Sequence, residues 1–131
     1  MDKLFIFTNV AHEHSNDSYI AKLDKDIRHK DVLFKELNET LDFPHFGYNW
    51  DALWDLMNDF HWIKNKEIVL VHVDIPLVSE KENLKYYLQI LRDAVTSWKT
   101  NPGPHLLKVV FPLEAKETIE KLMIEIELDE K

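Results

Sequence analysis

The sequence predicts an α/β domain organised on parallel strands, and three observations carry that expectation. EIVLVHV at 67–73 is a continuous apolar run rich in β-branched residues, the pattern of a central strand covered on both faces in a parallel sheet. LLKVVF at 106–111 is a second apolar strand. Between them Leu84, Tyr87, Leu88, Leu91, Ala94, Val95 and Trp98 recur at three-and-four spacing, which marks residues 82–99 as a helix with one apolar face. Strand, helix and strand over 67–111 then form a crossover unit, right-handed and with parallel strands.

The remaining elements follow in chain order. LFIF at 4–7 and SYIAKL at 18–23 read as short strands around the polar stretch HEHSND, a loop by composition. In SYIAKL, Tyr19, Ala21 and Leu23 alternate with positions that tolerate charge. Leu33, Phe34, Leu37 and Leu41 fall at helical spacing and give a first helix over roughly 31–41, stopping ahead of Pro44 because proline disfavours helix in the residue before it. A second helix is expected over residues 49–60, and NPGPH breaks the long helix after residue 99. The tail from Glu114 is helical through Ile119, Leu122 and Met123; it then alternates as Ile124, Glu125, Ile126, Glu127, Leu128, which fits helix and strand alike.

Composition narrows the functional classes. A chain of 131 residues with 45% hydrophobic content fits one domain, 1–131, burying about two thirds of its unfolded surface. The absence of cysteine excludes disulfides, thiolate zinc sites and cysteine nucleophiles. MDKLFIF is too short in apolar residues for a signal-peptide core and no stretch reaches membrane-spanning length, so a cytoplasmic protein is expected. With only two glycines, no repeat and no low-complexity tract, internal linkers are not expected. The net charge of -8 argues against binding nucleic acid through its phosphates. From Glu36 to Ile63 there is no Lys or Arg, while Glu36, Glu39, Asp42, Asp51, Asp55 and Asp59 concentrate the acidity.

Within that window lies FPHFGYNWDALWDLMNDF, residues 43–60. On a helical wheel Leu56, Phe60, Leu53, Met57, Trp50 and Trp54 share one arc, and Asn58, Asp51, Asp55 and Asp59 the opposite one. Asn49 is placed as an N-cap, and Asp51 meets the positive end of the helix dipole. A solvated amphipathic face explains much of this pattern. It does not explain why Asp51, Asp55 and Asp59 follow one another at i, i+4, a repulsive spacing, without a basic residue nearby. A row of acids flanked by Trp and Tyr suits an external cationic partner, since aromatic anchors beside desolvated charge pairs are typical of interface hot spots.

These residues also closely resemble the central motif of the barstar family, the small intracellular inhibitors of microbial ribonucleases, in which an F-P-x-x-F-G-x-N-W-D-A-L-W-D type run crosses a loop and the start of the second helix. The resemblance extends to SYIAKLDKDI, LNETLDFP, EIVLVHV and YYLQILRDAV, about 18–111, leaving N- and C-terminal extensions. It implies a barstar-like fold: a small three-stranded parallel sheet in the order 1-2-3 with helices mainly on one face, and LFIF as a candidate extra N-terminal strand. It further implies a ribonuclease inhibitor or immunity protein, as in toxin-antitoxin pairs, that plugs the active site of a basic cytotoxic ribonuclease. A helix carboxylate there takes the place of a substrate phosphate.

By the same resemblance Asp55 matches the principal acid, whose weight is a property of the family, and Asp51 matches a second contacting acid. Asn49, Trp50 and Trp54 match contact positions, Phe46, Gly47 and Tyr48 match the loop that reaches toward the base-recognition region, and Asp59 continues the acidic face. The loop has one residue fewer between Pro44 and Gly47 than much of the family, which puts His45 and Tyr48 forward as substitutes for an aromatic that stacks on an active-site histidine. The family's additional acid aligns with Lys81, leaving Glu80 and Glu82 beside it as candidates. The expected partner is a basic ribonuclease bound one to one by a monomer, with no cofactor, metal, membrane or direct nucleic-acid contact.

Two rival readings use the same residues. In an enzyme, Asp51 and Asp55 would form a carboxylate pair with His12, His14, His45 or His61 as acid, base or ligand, which requires a pocket to perturb them. H-E-H at 12–14 lacks a third ligand of definite spacing and reads as polar surface. His72, inside an apolar strand, reads as a hydrogen-bonded core residue, and His29, His61 and His105 as loop or helix-edge polar residues. The second rival is an assembly module that binds a basic protein through the same face without inhibiting it.

Overall fold

The computed structural model describes residues 4–10, 17–101 and 103–131. Its elements are β1 (Ile6–Phe7), β2 (Ser18–Leu23), α1 (Lys30–Thr40), α2 (Trp50–Met57), β3 (Glu67–His72), α3 (Lys81–Thr100), β4 (Leu106–Phe111), a 3-10 turn (Leu113–Ala115) and α4 (Lys116–Asp129). Apart from Asp17, the HEHSND stretch expected as a loop, with His12 and His14, lies outside the described residues.

Among the described residues the sheet has four strands, not three, in the order β1-β4-β3-β2, all parallel. The three main strands keep the expected sequential order. The additional strand comes from LFIF and joins the far edge, pairing Ile6 with Val110 and Phe7 with Phe111. Aromatic packing explains this choice of neighbour: Phe5 meets Phe111 edge-on at 5.6 Å and Phe7 stacks on it at 6.2 Å.

Register fixes the core. Tyr19, Ile68 and Leu107 form one row across the sheet, and Ala21, Leu70 and Val109 the next on the same face. Buried residues of all four helices, among them Phe34, Leu53, Leu88 and Ile119, join these rows in one cluster. The opposite face differs from the expectation for β3. That strand is central and Val69 is fully buried, but Val69 lies outside the helical core. Polar groups line this side: Ser18 Oγ donates to Glu67 Oε1 at 2.7 Å, and Lys108 Nζ pairs with Glu67 Oε2 at 2.8 Å.

The helix ends are set locally. After α1, Asp42 takes a left-handed conformation (φ 53) and Phe43 N–H reaches back to Asn38 O at 3.2 Å, a Schellman-type stop two residues ahead of Pro44. The tail resolves as helix: Ile119, Leu122 and Ile126 form its buried stripe, and Ile124 and Leu128 face solvent.

His72 is the buried, hydrogen-bonded residue that its strand context predicts. A neutral ring that donates from Nδ1 to Val110 O (3.0 Å) and accepts at Nε2 from the Tyr87 hydroxyl (2.7 Å) satisfies both contacts, and the ring stacks on Phe111 at 4.0 Å. Burial lowers its pKa to about 4. His105, read as a loop or helix-edge polar residue, does lie in the loop before β4 but is buried there: it packs edge-on against Trp98 and Phe60, and Nδ1–H donates to Asn65 O at 2.7 Å.

Candidate functional site

The site is built on α2, whose inner face is locked into the core. Leu53 and Met57 are fully buried and Leu56 nearly so. At its N-terminus Asn49 Oδ1 accepts from Ala52 N–H at 2.8 Å while Nδ2 donates to Gly47 O at 3.2 Å, closing the turn and satisfying an orphan helix donor. A side chain at Gly47 would place its Cβ 3.1 Å from Asn49 Nδ2, so glycine leaves room for the cap. At the other end Trp98 Nε1–H donates to Met57 O at 3.0 Å, covering a terminal carbonyl.

The preceding loop divides its aromatics between anchoring and display. Phe46 is half-buried, edge-on to Phe34 and Phe43 at 5.2 Å each, and so anchors the loop. Tyr48 and His45 are exposed. Tyr48 adopts a left-handed backbone (φ 51), a conformation that costs a non-glycine residue on the order of 1 kcal/mol, while its ring leans on Phe46 at 5.0 Å. Trp50 is half-buried between Phe34 (4.9 Å) and Tyr86 (6.1 Å).

The three aspartates are not equivalent. The helix ends at Met57, short of the expected residue 60, because Asp59 N–H turns back to Leu56 O (3.1 Å) and Phe60 is left-handed (φ 52) with its side chain buried. Asp59 therefore sits in a turn. Its carboxylate accepts from His61 Nδ1–H at 2.8 Å and from His61 N–H at 3.2 Å. Asp51 and Asp55 remain on the helix, one turn apart and exposed, and neither forms an ion pair among the described residues.

Beside them a groove of about 510 Å³ runs between α2 and α3. Asn49, Trp50, Asp51 and Trp54 form one wall, and Tyr86, Gln89, Ile90 and Asp93 the other. Trp54 is 44% exposed, so its indole offers a face to the groove mouth, and its Nε1–H makes a long contact to Asp93 Oδ2 at 3.4 Å. Arg92 Nε and Nη2 both donate to Asp93 Oδ1, at 3.1 and 3.0 Å.

Asp93 is the acid that sequence reasoning missed. Tyr86, Gln89 and Asp93 follow one another at helical spacing beside the apolar stripe of α3, a signal that acquires meaning only once α2 is known to pack there. Glu80 and Glu82 do not line the groove. Glu80 accepts from His29 Nδ1–H (2.9 Å) and Asn83 Nδ2 (3.0 Å), and the His29 bond, above all, lowers its carboxyl pKa. Glu82 borders a separate depression with Lys85.

Two carboxylates without counterions among the described residues, an exposed indole and phenol, and an acid-walled groove between two packed helices can receive guanidinium or ammonium groups by charge-assisted hydrogen bonds and cation–π contact. Among the described residues no cluster of three or more His, Asp or Glu side chains is arranged to hold a metal, and no helix is long and apolar enough to cross a membrane.

Comparison with protein-family models matches residues 19–111 to Barstar (barnase inhibitor), well over half of the chain. No curated protein and no solved structure matches the chain. The matched segment runs from β2 through β4, and therefore contains α2, α3 and the groove between them, with β1 and α4 outside. The chain belongs to the barstar family.

Proposed function

We propose that this protein is an inhibitor, acting as an immunity protein in the cell that holds it, and that it blocks the active site of a basic cytotoxic ribonuclease with the loop 45–48 and the exposed face of α2. The observation that carries this reading is the pair Asp51 and Asp55, exposed and without counterions among the described residues, on a helix whose other side is buried in the core. A ribonuclease active site must bind an RNA backbone and is lined with cations. Two carboxylates one turn apart present comparable negative charge on a scaffold that loses little entropy on docking. Trp54, Tyr48 and the groove wall supply the apolar surround that dries such contacts and strengthens them. The protein is the inhibitor here and performs no chemistry of its own.

The test is inhibition of a small basic ribonuclease of the barnase type, titrated at low and high salt, with wild type and an Asp51→Ala, Asp55→Ala double variant. Wild type should inhibit with one-to-one stoichiometry, more weakly as salt rises, and the double variant should lose inhibition while melting normally. Equal binding by both proteins would move the interface off α2. Binding that leaves the ribonuclease active would favour an assembly role instead.

A further inference from the structure

The last turn of α4 is wired to the binding groove. Arg92 on α3 is clamped between two carboxylates: Nη1 and Nη2 donate to the two oxygens of Glu130 at 2.8 Å each, and Nε and Nη2 donate to Asp93 Oδ1. Glu130 also accepts from Gln89 Nε2 at 2.9 Å. Gln89 and Asp93 are both groove residues, and Asp93 Oδ2 is the atom facing the Trp54 indole. One carboxylate at the end of α4 therefore orients two side chains of the groove wall. Through Asp93 it reaches a third on α2.

We propose that Glu130, which lies outside the family-matched segment, is a positioning residue that sets the charge and geometry of the groove through Arg92 and Gln89. The electrostatic logic is direct. Arg92 alone with Asp93 would make a neutral pair and cancel the acid in the groove wall. Glu130 engages the outer edge of the same guanidinium, so the three groups together keep one net negative charge. Bidentate geometry holds the guanidinium plane in place, and that leaves Asp93 Oδ2 turned toward Trp54 and available to a cationic group of a partner. Glu130 thereby tunes how strongly the groove attracts a cation, although its own contacts are confined to α3.

The effect on affinity rests on the inhibitor reading, but the positioning has a readout of its own. In ¹⁵N-labelled protein, Glu130→Gln should shift the indole N–H signal of Trp54. It should leave those of Trp62 and Trp98 in place, because their indoles donate to Leu41 O and Met57 O. Glu127→Gln, an exposed site on the same helix, should shift none of them. An unmoved Trp54 signal, or equal movement of all these indoles, overturns the proposal. With barnase as the probe, Glu130→Gln should weaken inhibition about threefold to tenfold, and the same change in an Arg92→Gln background should add less than about twofold. Unchanged inhibition by Glu130→Gln overturns the functional coupling. Failure of the wild type to bind barnase would count against the inhibitor reading for that enzyme, and the indole signals would still decide the positioning.

Discussion

Two acidic surfaces flank α3, and they treat their carboxylates in opposite ways. On α4 and its end, Glu125, Asp129 and Glu130 are each matched to a base of α3: Lys81 at 2.9 Å, Lys85, and Arg92 at 2.8 Å. On α2, Asp51 and Asp55 have no such match among the described residues, and their i, i+4 spacing is mildly repulsive. Exposed pairs of the first kind contribute about 0–1 kcal/mol each, yet together they fix where α4 sits. Carboxylates of the second kind bridge no two elements; Asp51 favours its own helix through the dipole at the first turn, and Asp55 adds repulsion one turn on. The same residue types thus hold two helices together on one side of α3, while on the other they have no partner among the described residues, which is where the proposed inhibitor role places the ribonuclease.

The largest expected effect tests the α2 side of that contrast. Asp55→Ala should weaken binding to a barnase-type ribonuclease by on the order of several kcal/mol, because the partner's cations would be buried unpaired. The melting temperature should hold or rise slightly as repulsion from Asp51 is relieved. Calorimetric titration beside thermal melts separates the two, and a parallel loss of stability would erase the distinction between the surfaces.

A buried ionisable group sharpens the contrast from a third direction. His72 is neutral in the fold, with a pKa near 4 against about 6.5 in the unfolded chain. Between those values the unfolded chain binds more protons, so stability should be fully present above about pH 6.5 and fall by about 3 kcal/mol as pH drops toward 4. Urea denaturation across that range should show a slope that His72→Gln removes; a slope that survives in the variant would assign it to other groups.

Smaller effects are expected at the cap and at the α4 contact. Asn49→Ala should cost about 1 kcal/mol of stability by freeing the Ala52 N–H, and should loosen binding because Asp51 sits in the turn that the cap organises. Hydrogen exchange at the first turn of α2 would register it. Lys85→Met should change stability by less than about 1 kcal/mol and leave ribonuclease binding unchanged. An affinity loss from that substitution would mean that the paired surface also contacts the partner.

What the sequence made legible was what short-range chemistry decides. The apolar run of β3, the stripe of α3, the Asn49 cap and the outward direction of Asp51 and Asp55 all depend on neighbours within a few residues, and the structure places each accordingly. The departures arise where distant segments meet. Asp93 enters the groove only because α3 packs on α2, and the early end of that helix depends on Phe60 turning into the core. His105 is buried in part by Phe60, which is far away in sequence. Phe46, matched to a contact loop, has its ring turned inward by Phe34 and Phe43, a preference that no periodicity of the loop itself encodes.

The pairing of β1 with β4 has a consequence in time. In this sheet the first strand lies beside the last, and every neighbouring pair is parallel, so no pair can form as a simple hairpin. A ribosome releases Ile6 and Phe7 long before Val110 and Phe111 exist, and long-range parallel pairing is the slow kind. Until β4 emerges, Phe5 and Phe7 lack the Phe111 ring against which they pack. The pairing of β1 with β4 can therefore form only after residues 106–111 have been made, about a hundred residues after the strand they join.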